Sequence, residues 1–259
     1  MASQLIFLGT AGDPMVMGQQ HRASGGLVLR VGDVQFHIDP GPGALVRASQ
    51  TGVNPRATTA VLVSHAHLNH CNDLNAVVAA MTYGGLDKHG VVFGHESALT
   101  DEVFRPYYRA CMERIIPLEA GKRAGVENID FQALPTRHSV PGVGFKFFCP
   151  DFTLSYLSDT GFSKEIAEAV LDSDILVLNV VDPSGHENEY NLTTDTALEM
   201  INLVKPSFAL ISHFGTKMLK ADPMYEARRL QSATGVQTVA VKDGMSIDPA
   251  NAAGSATLL

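Results

Sequence analysis

Three histidines fall within six residues, in Ser64-His65-Ala66-His67-Leu68-Asn69-His70, directly after the apolar run Ala60-Val61-Leu62-Val63. The run has the length and β-branched content of a buried strand. His65 and His67 are two residues apart, so in extended backbone they point the same way. His70 follows as the chain turns toward a helix, and it reaches the same space from another side. Imidazole is a good ligand for zinc and related metals. Three imidazoles converging at a strand end are costly to bury without a metal or polar partners. The chain must therefore build a strand–loop–helix unit whose loop opens onto a polar site.

Three more ionisable residues stand just beyond apolar runs. His138, in Thr136-Arg137-His138-Ser139-Val140, follows Phe131 to Leu134. Asp159, in Ser158-Asp159-Thr160-Gly161, follows Phe152 to Leu157. His213, in Ser212-His213-Phe214-Gly215, follows Phe208 to Ile211. Each alone is a weak signal, since a lone His or Asp at a strand end is commonly structural. Together with the cluster they complete five imidazoles and one carboxylate, the ligand inventory of a two-metal site.

Short runs rich in Val, Ile and Phe predict strands near 4–8, 26–31, 34–38, 60–64, 91–93, 129–134, 143–148, 153–157, 175–180, 207–212 and 237–241. Val31-Gly32-Asp33-Val34 reads as a tight hairpin turn, and Asp151 marks another. Helices are expected at 73–82, 96–110, 164–171, 195–204 and 222–232, with Thr193 or Thr194 as a cap and Pro206 as a stop. Hairpins followed by helices, twice over, differ from the steady alternation of a doubly wound sheet. They suit a layered α/β protein with two mixed sheets, expected as a single domain over 1–259. The small-residue tail Ala250 to Leu259 is expected to fray or to dock at a dimer interface.

Composition narrows the partners. A net charge of −8 and a pI near 5.6 repel a polyanion at long range, and a nucleic-acid binder usually carries a basic patch. Three cysteines, Cys71, Cys111 and Cys149, are too few and odd for a disulfide framework, so a reducing cytoplasm is expected. The start Met-Ala-Ser-Gln runs into Leu5-Ile6-Phe7-Leu8 without a basic segment, unlike a signal peptide. No apolar run approaches the roughly 20 residues a membrane helix needs.

The ordered set His65, His67, His70, His138, Asp159 and His213 resembles the metallo-β-lactamase-fold hydrolases, in particular the ribonuclease Z-like branch. That branch reads His-x-His-x-Asp-His, then His, Asp and His at strand ends. Phe7-Leu8-Gly9-Thr10 and His37-Ile38-Asp39-Pro40-Gly41-Pro42-Gly43 extend the likeness upstream. The resemblance implies an αββα sandwich of two mixed sheets flanked by helices. It implies a first metal held by His65, His67, His138 and Asp159, and a second by His70, Asp159 and His213, with Asp159 bridging. Asp39 would orient ligands by hydrogen bonds. One or two zinc ions are implied, with manganese or iron as alternatives, and a homodimer.

The sequence departs from that pattern at two positions. Asn69 stands where the family has Asp, so it remains a candidate ligand but offers a neutral carbonyl oxygen. Asp73 is the nearest acidic residue, and helical geometry is expected to carry it away. Asn191 stands where ribonuclease Z-like proteins often have a His that serves the leaving group. His186, five residues upstream, can supply that imidazole or be a solvated loop residue. Nothing between 84 and 130 is long, glycine-rich and basic enough for a tRNA-gripping arm, so tRNA is not an expected partner. Cys71 is expected to be a buried, inert thiol. His21 and Arg22 are candidates for meeting an anionic substrate at the site mouth. Phe104, Tyr107, Tyr108 and Met112 sit at helical spacing and are expected in a core or an interface.

The expectation is a hydrolase, foremost a phosphodiesterase acting through a metal-bound hydroxide on a small-molecule or phosphodiester substrate. Two alternatives stay open: a one-metal hydrolase of lactones or other acyl substrates, and a metal-stabilised binding protein without activity.

Overall fold

In the computed structural model, which describes residues 3–254, the strands alternate their side chains between two environments. The first sheet holds β1 (Ser3–Phe7), β2 (Leu27–Val31), β3 (Val34–Ile38), β4 (Ala60–Val63), β5 (Val91–His95) and β6 (Arg114–Leu118). The second holds β7 (Arg123–Val126), β8 (Ile129–Leu134), β9 (Gly144–Phe148), β10 (Thr153–Tyr156), β11 (Ile175–Asp182), β12 (Leu192–Thr193), β13 (Phe208–Ser212) and β14 (Gln237–Ala240). A last short strand, β15 (Ser246–Ile247), returns to pair with β1.

Both sheets are mixed. β1, β2 and β3 form an antiparallel meander, and β3 through β6 run parallel. In the second sheet β7 through β10 are antiparallel, while β10, β11, β13 and β14 run parallel. Ala60 and Leu62 of β4 face the core between the sheets, among Phe36, Phe93, Phe131, Phe145 and Phe147. Val61 and Val63 face outward and are covered by Leu74, Val77, Val78 and Met81 of helix Leu74–Met81. On the other flank, Ile166, Ala197, Met200, Ile201 and Leu230 cover Leu176, Leu178 and Ile211. This is the αββα sandwich expected from the sequence.

Helix Thr194–Val204 starts at Thr193, whose hydroxyl accepts from Thr196 N while the Thr196 hydroxyl accepts from Thr193 N. The hairpin between β2 and β3 closes with Val31 opposite Val34, and Gly32 supplies a φ of +58°. The single helix expected over 96–110 is instead a 3-10 turn at Glu96–Leu99 and a short helix at Pro106–Arg109. Pro106 forces Arg105 into extended backbone, which divides the segment. β6 and β7 were not anticipated. β6 is an edge strand with Pro117 inside it, and it lacks the clean alternation that marks a half-buried strand. Pro249–Gly254 forms a helix, with Ala250, Ala252 and Ala253 against the inter-sheet core, where fraying or docking at a dimer interface was expected. The rest of that tail lies outside the described residues. Phe104 and Met112 are buried as anticipated, while Tyr107 is exposed. No helix among the described residues is long and apolar enough to cross a membrane.

His37, for which the sequence suggested no role, is buried in β3 with Nε2 3.1 Å from Gly25 O. Burial lowers its pKa from 6.5 to about 4. Above pH 6.5 the ring is neutral in both folded and unfolded chains. Between 6.5 and 4 the unfolded chain takes up a proton that the folded chain refuses. Stability therefore falls with falling pH across that window, by roughly 3 kcal/mol in total from this one ring. His37→Gln keeps a donor for Gly25 O and removes the titration. Urea unfolding at stepped pH should show a shallower acid loss in this variant than in the wild type.

Candidate metal centre

Most of the sequence-predicted metal residues sit at the carboxyl end of a strand or in the loop just beyond it, while Asn69 and His70 lie in the short helix Leu68–Cys71 that follows β4. β4 runs into His65, His67, Asn69 and His70, β8 into His138, β10 into Asp159, and β13 into His213. Asp39, Ser158 and His213 adopt positive φ of 53°, 56° and 65°, which bends the chain sharply as it leaves each strand. Asp and His tolerate that region better than most side chains.

Two donor groups result. In one, atoms of His65, His67, His138 and Asp159 all lie within 4.8 Å of one another, and in the other, those of His70, Asp159 and His213 do. Asp159 belongs to both. Its Oδ2 is 3.1 Å from His70 Nε2, 3.9 Å from His65 Nε2 and 3.8 Å from His138 Nε2, and its Oδ1 is 3.1 Å from His213 Nε2.

The polar partners behind the rings decide which nitrogen faces inward. His70 Nδ1 is 2.8 Å from Asp39 Oδ2, and His138 Nδ1 is 2.7 Å from Tyr190 O. Both acceptors require N–H at Nδ1, which leaves each Nε2 directed at the site. His65 Nδ1 lies 2.9 Å from Ser64 Oγ, whose own proton goes to Asp39 Oδ2 at 2.8 Å, so His65 too presents Nε2. His67 Nδ1 then meets the Nε2 atoms of His65 and His138, each at 3.0 Å. One N–H at His67 Nδ1 can serve only one of these two nitrogens, whereas a cation among them satisfies all three. The donor set therefore fits a divalent ion, and its imidazole-rich group has the ligand chemistry of zinc.

Asp39 is the hub of this arrangement. It is buried, and its Oδ1 accepts from Ser64 N at 2.7 Å while its Oδ2 accepts from Ser64 Oγ, His70 Nδ1 and Tyr156 OH, each at 2.8 Å. It braces His70 and Ser64 from behind, and with Asn69, His70, Tyr156 and His213 it lines a small pocket beside the second donor group.

Electrostatics separate the rings. Burial, then the neighbouring His70, pushes His65 well below the ordinary histidine value. Burial and His138 lower His67. Burial also opposes a charge on His70, but Asp159 and Asp39 outweigh it and raise its pKa to about 10. Burial would raise Asp159, yet His213 and His70 hold it well below the usual carboxylate range. A metal ion taking His70 Nε2 must displace any proton held there, so binding would release it.

The structure locates the other candidates. Asn69 Nδ2 is 3.2 Å from His213 Nε2, so Asn69 stands beside the second group. Asp73 turns away and caps helix Ala44–Gln50, accepting from Gly43 N and Ala44 N at 2.9 and 3.0 Å. Thr160 Oγ1 accepts from Arg137 N, and Gly161 N donates to Arg137 O, tying the His138 loop to the Asp159 loop. Cys71 is buried, and burial raises its thiol to about 12. A cleft of about 410 Å³ opens over the site, lined by Gly12, Pro14, Met17, His67, Leu68, Asn69, His138, Ser139, Asp159 and Asn191. Asn191 is thus at the mouth. His186 is not brought there: it is exposed, with Nδ1 3.3 Å from Ser184 O, in a separate depression with Glu187 and Asp195. His21 and Arg22 also lie outside the lining, and Arg22 stacks toward Phe214 at 6.0 Å.

Two contributors escaped the sequence reading. Asn179 Nδ2 donates to Asp159 Oδ1 at 2.7 Å, and Tyr156 OH to Asp39 Oδ2. A signal existed for Asn179, the lone polar residue inside the apolar run Ile175 to Val181.

The family described as the beta-lactamase superfamily domain matches residues 35–214. The chain belongs to that family. Family membership makes it a metallo-hydrolase-fold, metal-binding protein, and the described residues include a His and Asp cluster able to hold a metal ion. An uncharacterized protein of Methanocaldococcus jannaschii is 29% identical over 259 residues, covering 97% of each chain. A ribonuclease Z of Pyrococcus furiosus is 23% identical over 148 residues, covering 56% of this chain and 47% of that enzyme, so the likeness spans about half of that relative. Among solved structures, the metallo-beta-lactamase fold protein YhfI of Bacillus subtilis superposes with a TM-score of 0.82 at 16% identity, over 95% of this chain and 99% of that one. The ribonuclease Z-like branch named from the sequence is consistent with these relatives.

Proposed function

We propose that the chain is a metal-dependent phosphodiesterase. The observation that carries this reading is one buried carboxylate, Asp159, shared by two imidazole groups at the floor of an open cleft. The partial likeness to a ribonuclease, an enzyme that cleaves phosphodiesters, supports the bond type. Divalent ions bound there would supply Lewis acidity to phosphoryl oxygens and bring the pKa of an attacking water toward neutrality. Zinc is the ion we assign to His65, His67, His138 and Asp159, with His70, Asp159 and His213 holding a second.

The chain's own residues set the rest. Asp39 and Ser64 fix which imidazole nitrogens face the site. Asn69 places a neutral amide against His213, so two dications would share a single carboxylate, and the second ion is held more weakly. Asn191 can donate a hydrogen bond to a leaving oxygen but has no proton to release at neutral pH. With His186 outside the cleft, the leaving oxygen takes its proton from solvent.

A second reading, a one-metal hydrolase of lactones or thioesters, is favoured by Asn69 alone. A substrate screen separates the two. The zinc-loaded protein should cleave bis(4-nitrophenyl) phosphate, lose that activity to a chelator and regain it with zinc. Turnover confined to lactones and thioesters would replace the first reading with the second.

A further inference from the structure

We infer that a wall formed by Pro14, Met17 and Leu68 makes this cleft selective for a substrate with an apolar, uncharged group next to the bond that is cleaved. The inference rests on the hydrolase reading only for the identity of that bond.

Leu68 lies between His67 and Asn69 and is 65% exposed, an unusual place for a large apolar side chain beside so polar a floor. A single exposed leucine signifies little. Here three apolar residues from two separate segments line the same cleft as His67, His138 and Asp159. An apolar wall with a few convergent polar groups is the usual make-up of a small-molecule site.

The charges point the same way. Among the described residues, no Lys or Arg lines the cleft. Arg137 is engaged by Glu189 at 2.8 Å, and Lys217 by Asp182 at 3.6 Å. An extended polyanion would find counter-charge only at the metals, whereas an apolar substituent finds a surface ready to be covered.

The wall is also fixed in place. Asp13 Oδ1 caps helix Pro14–Gly18 by accepting from Val16 N at 2.7 Å, and its Oδ2 accepts from Thr216 N and Oγ1 at 2.7 and 3.0 Å. That ties the wall to the helix that follows His213. Gly12 permits the close approach, since a Cβ there would come within 1.9 Å of His213 O.

The test is calorimetric binding of n-alkylphosphonates, methyl through hexyl, to the zinc-loaded protein. Affinity should rise about two- to fourfold per methylene over the first members, as expected for burial of each group against an apolar wall. Leu68→Ser and Met17→Gln, both at accessible positions, should flatten that rise, and Leu68→Met should preserve it. A Kd independent of chain length, a slope unchanged in Leu68→Ser, or no binding by any member overturns the inference. A retained slope without turnover of any phosphodiester or acyl ester would defeat the hydrolase reading and leave the wall's selectivity standing.

Discussion

Asp159→Asn is expected to lose both metal ions and to lower turnover by roughly a thousandfold or more. The substitution keeps the side chain's shape, and its carbonyl oxygen can still accept from Asn179 Nδ2, which bonds Asp159 Oδ1 at 2.7 Å. What disappears is the one negative charge that both donor groups share. Imidazoles alone leave the ions' charge uncompensated at a buried position. Losing the Lewis acid removes several kcal/mol of barrier lowering, and each 1.4 kcal/mol is tenfold in rate. Elemental analysis and kinetics on one preparation check this. Full metal content with a near-wild-type rate would show that Asp159 is not the shared ligand.

Asp39→Ala should cost roughly 3–5 kcal/mol of stability and most of the metal affinity. Four donors converge on this buried carboxylate: Ser64 N, Ser64 Oγ, Tyr156 OH and His70 Nδ1. Removing it leaves buried groups unpaired, each costing about 1–3 kcal/mol, and more for a charged one. His70 also loses the acceptor that directs its Nε2 at Asp159, and loss of such a partner typically costs 10–100-fold in metal affinity. Asp39→Asn separates the charge from the backbone, because Asn tolerates the φ of 53° that this position requires. It should lie between the wild type and Ala in urea unfolding and in zinc titration. An Ala variant within about 1 kcal/mol of wild type would remove Asp39 from its place as the hub.

The His and Asp residues that the structure gathers were legible because nearly all follow an apolar run, and a buried strand delivers the residues just past its end to one edge of the sheet. His65 and His67 do meet, but across a bend at Ala66 beyond the end of β4 at Val63, and not by the alternation of an extended strand that their spacing suggested. The two sheets were legible through runs such as Ala60 to Val63 and Ile175 to Val181. What did not show was dependence on distant partners. Tyr156 looks like an ordinary strand residue until β10 places its hydroxyl on Asp39. β6 and β7 have weak patterns because one is an edge strand interrupted by Pro117 and the other is short and partly exposed. The segment 96–110 has helix-forming residues throughout, but Pro106 overrides them. His186 was a reasonable candidate by position in the chain, yet the loop from 183 to 191 presents Tyr190 O and Asn191 to the site and turns His186 outward.

The most direct test of the account is zinc content per chain, measured by elemental analysis on protein purified without added metal or chelator, beside Asn69→Asp treated identically. The account predicts that the wild type holds one zinc firmly and a second only in excess metal, and that Asn69→Asp holds close to two, because the new carboxylate supplies the charge that the second group lacks. Protein that contains no zinc and takes up none on reconstitution would contradict the claim that these histidines and Asp159 form a metal centre.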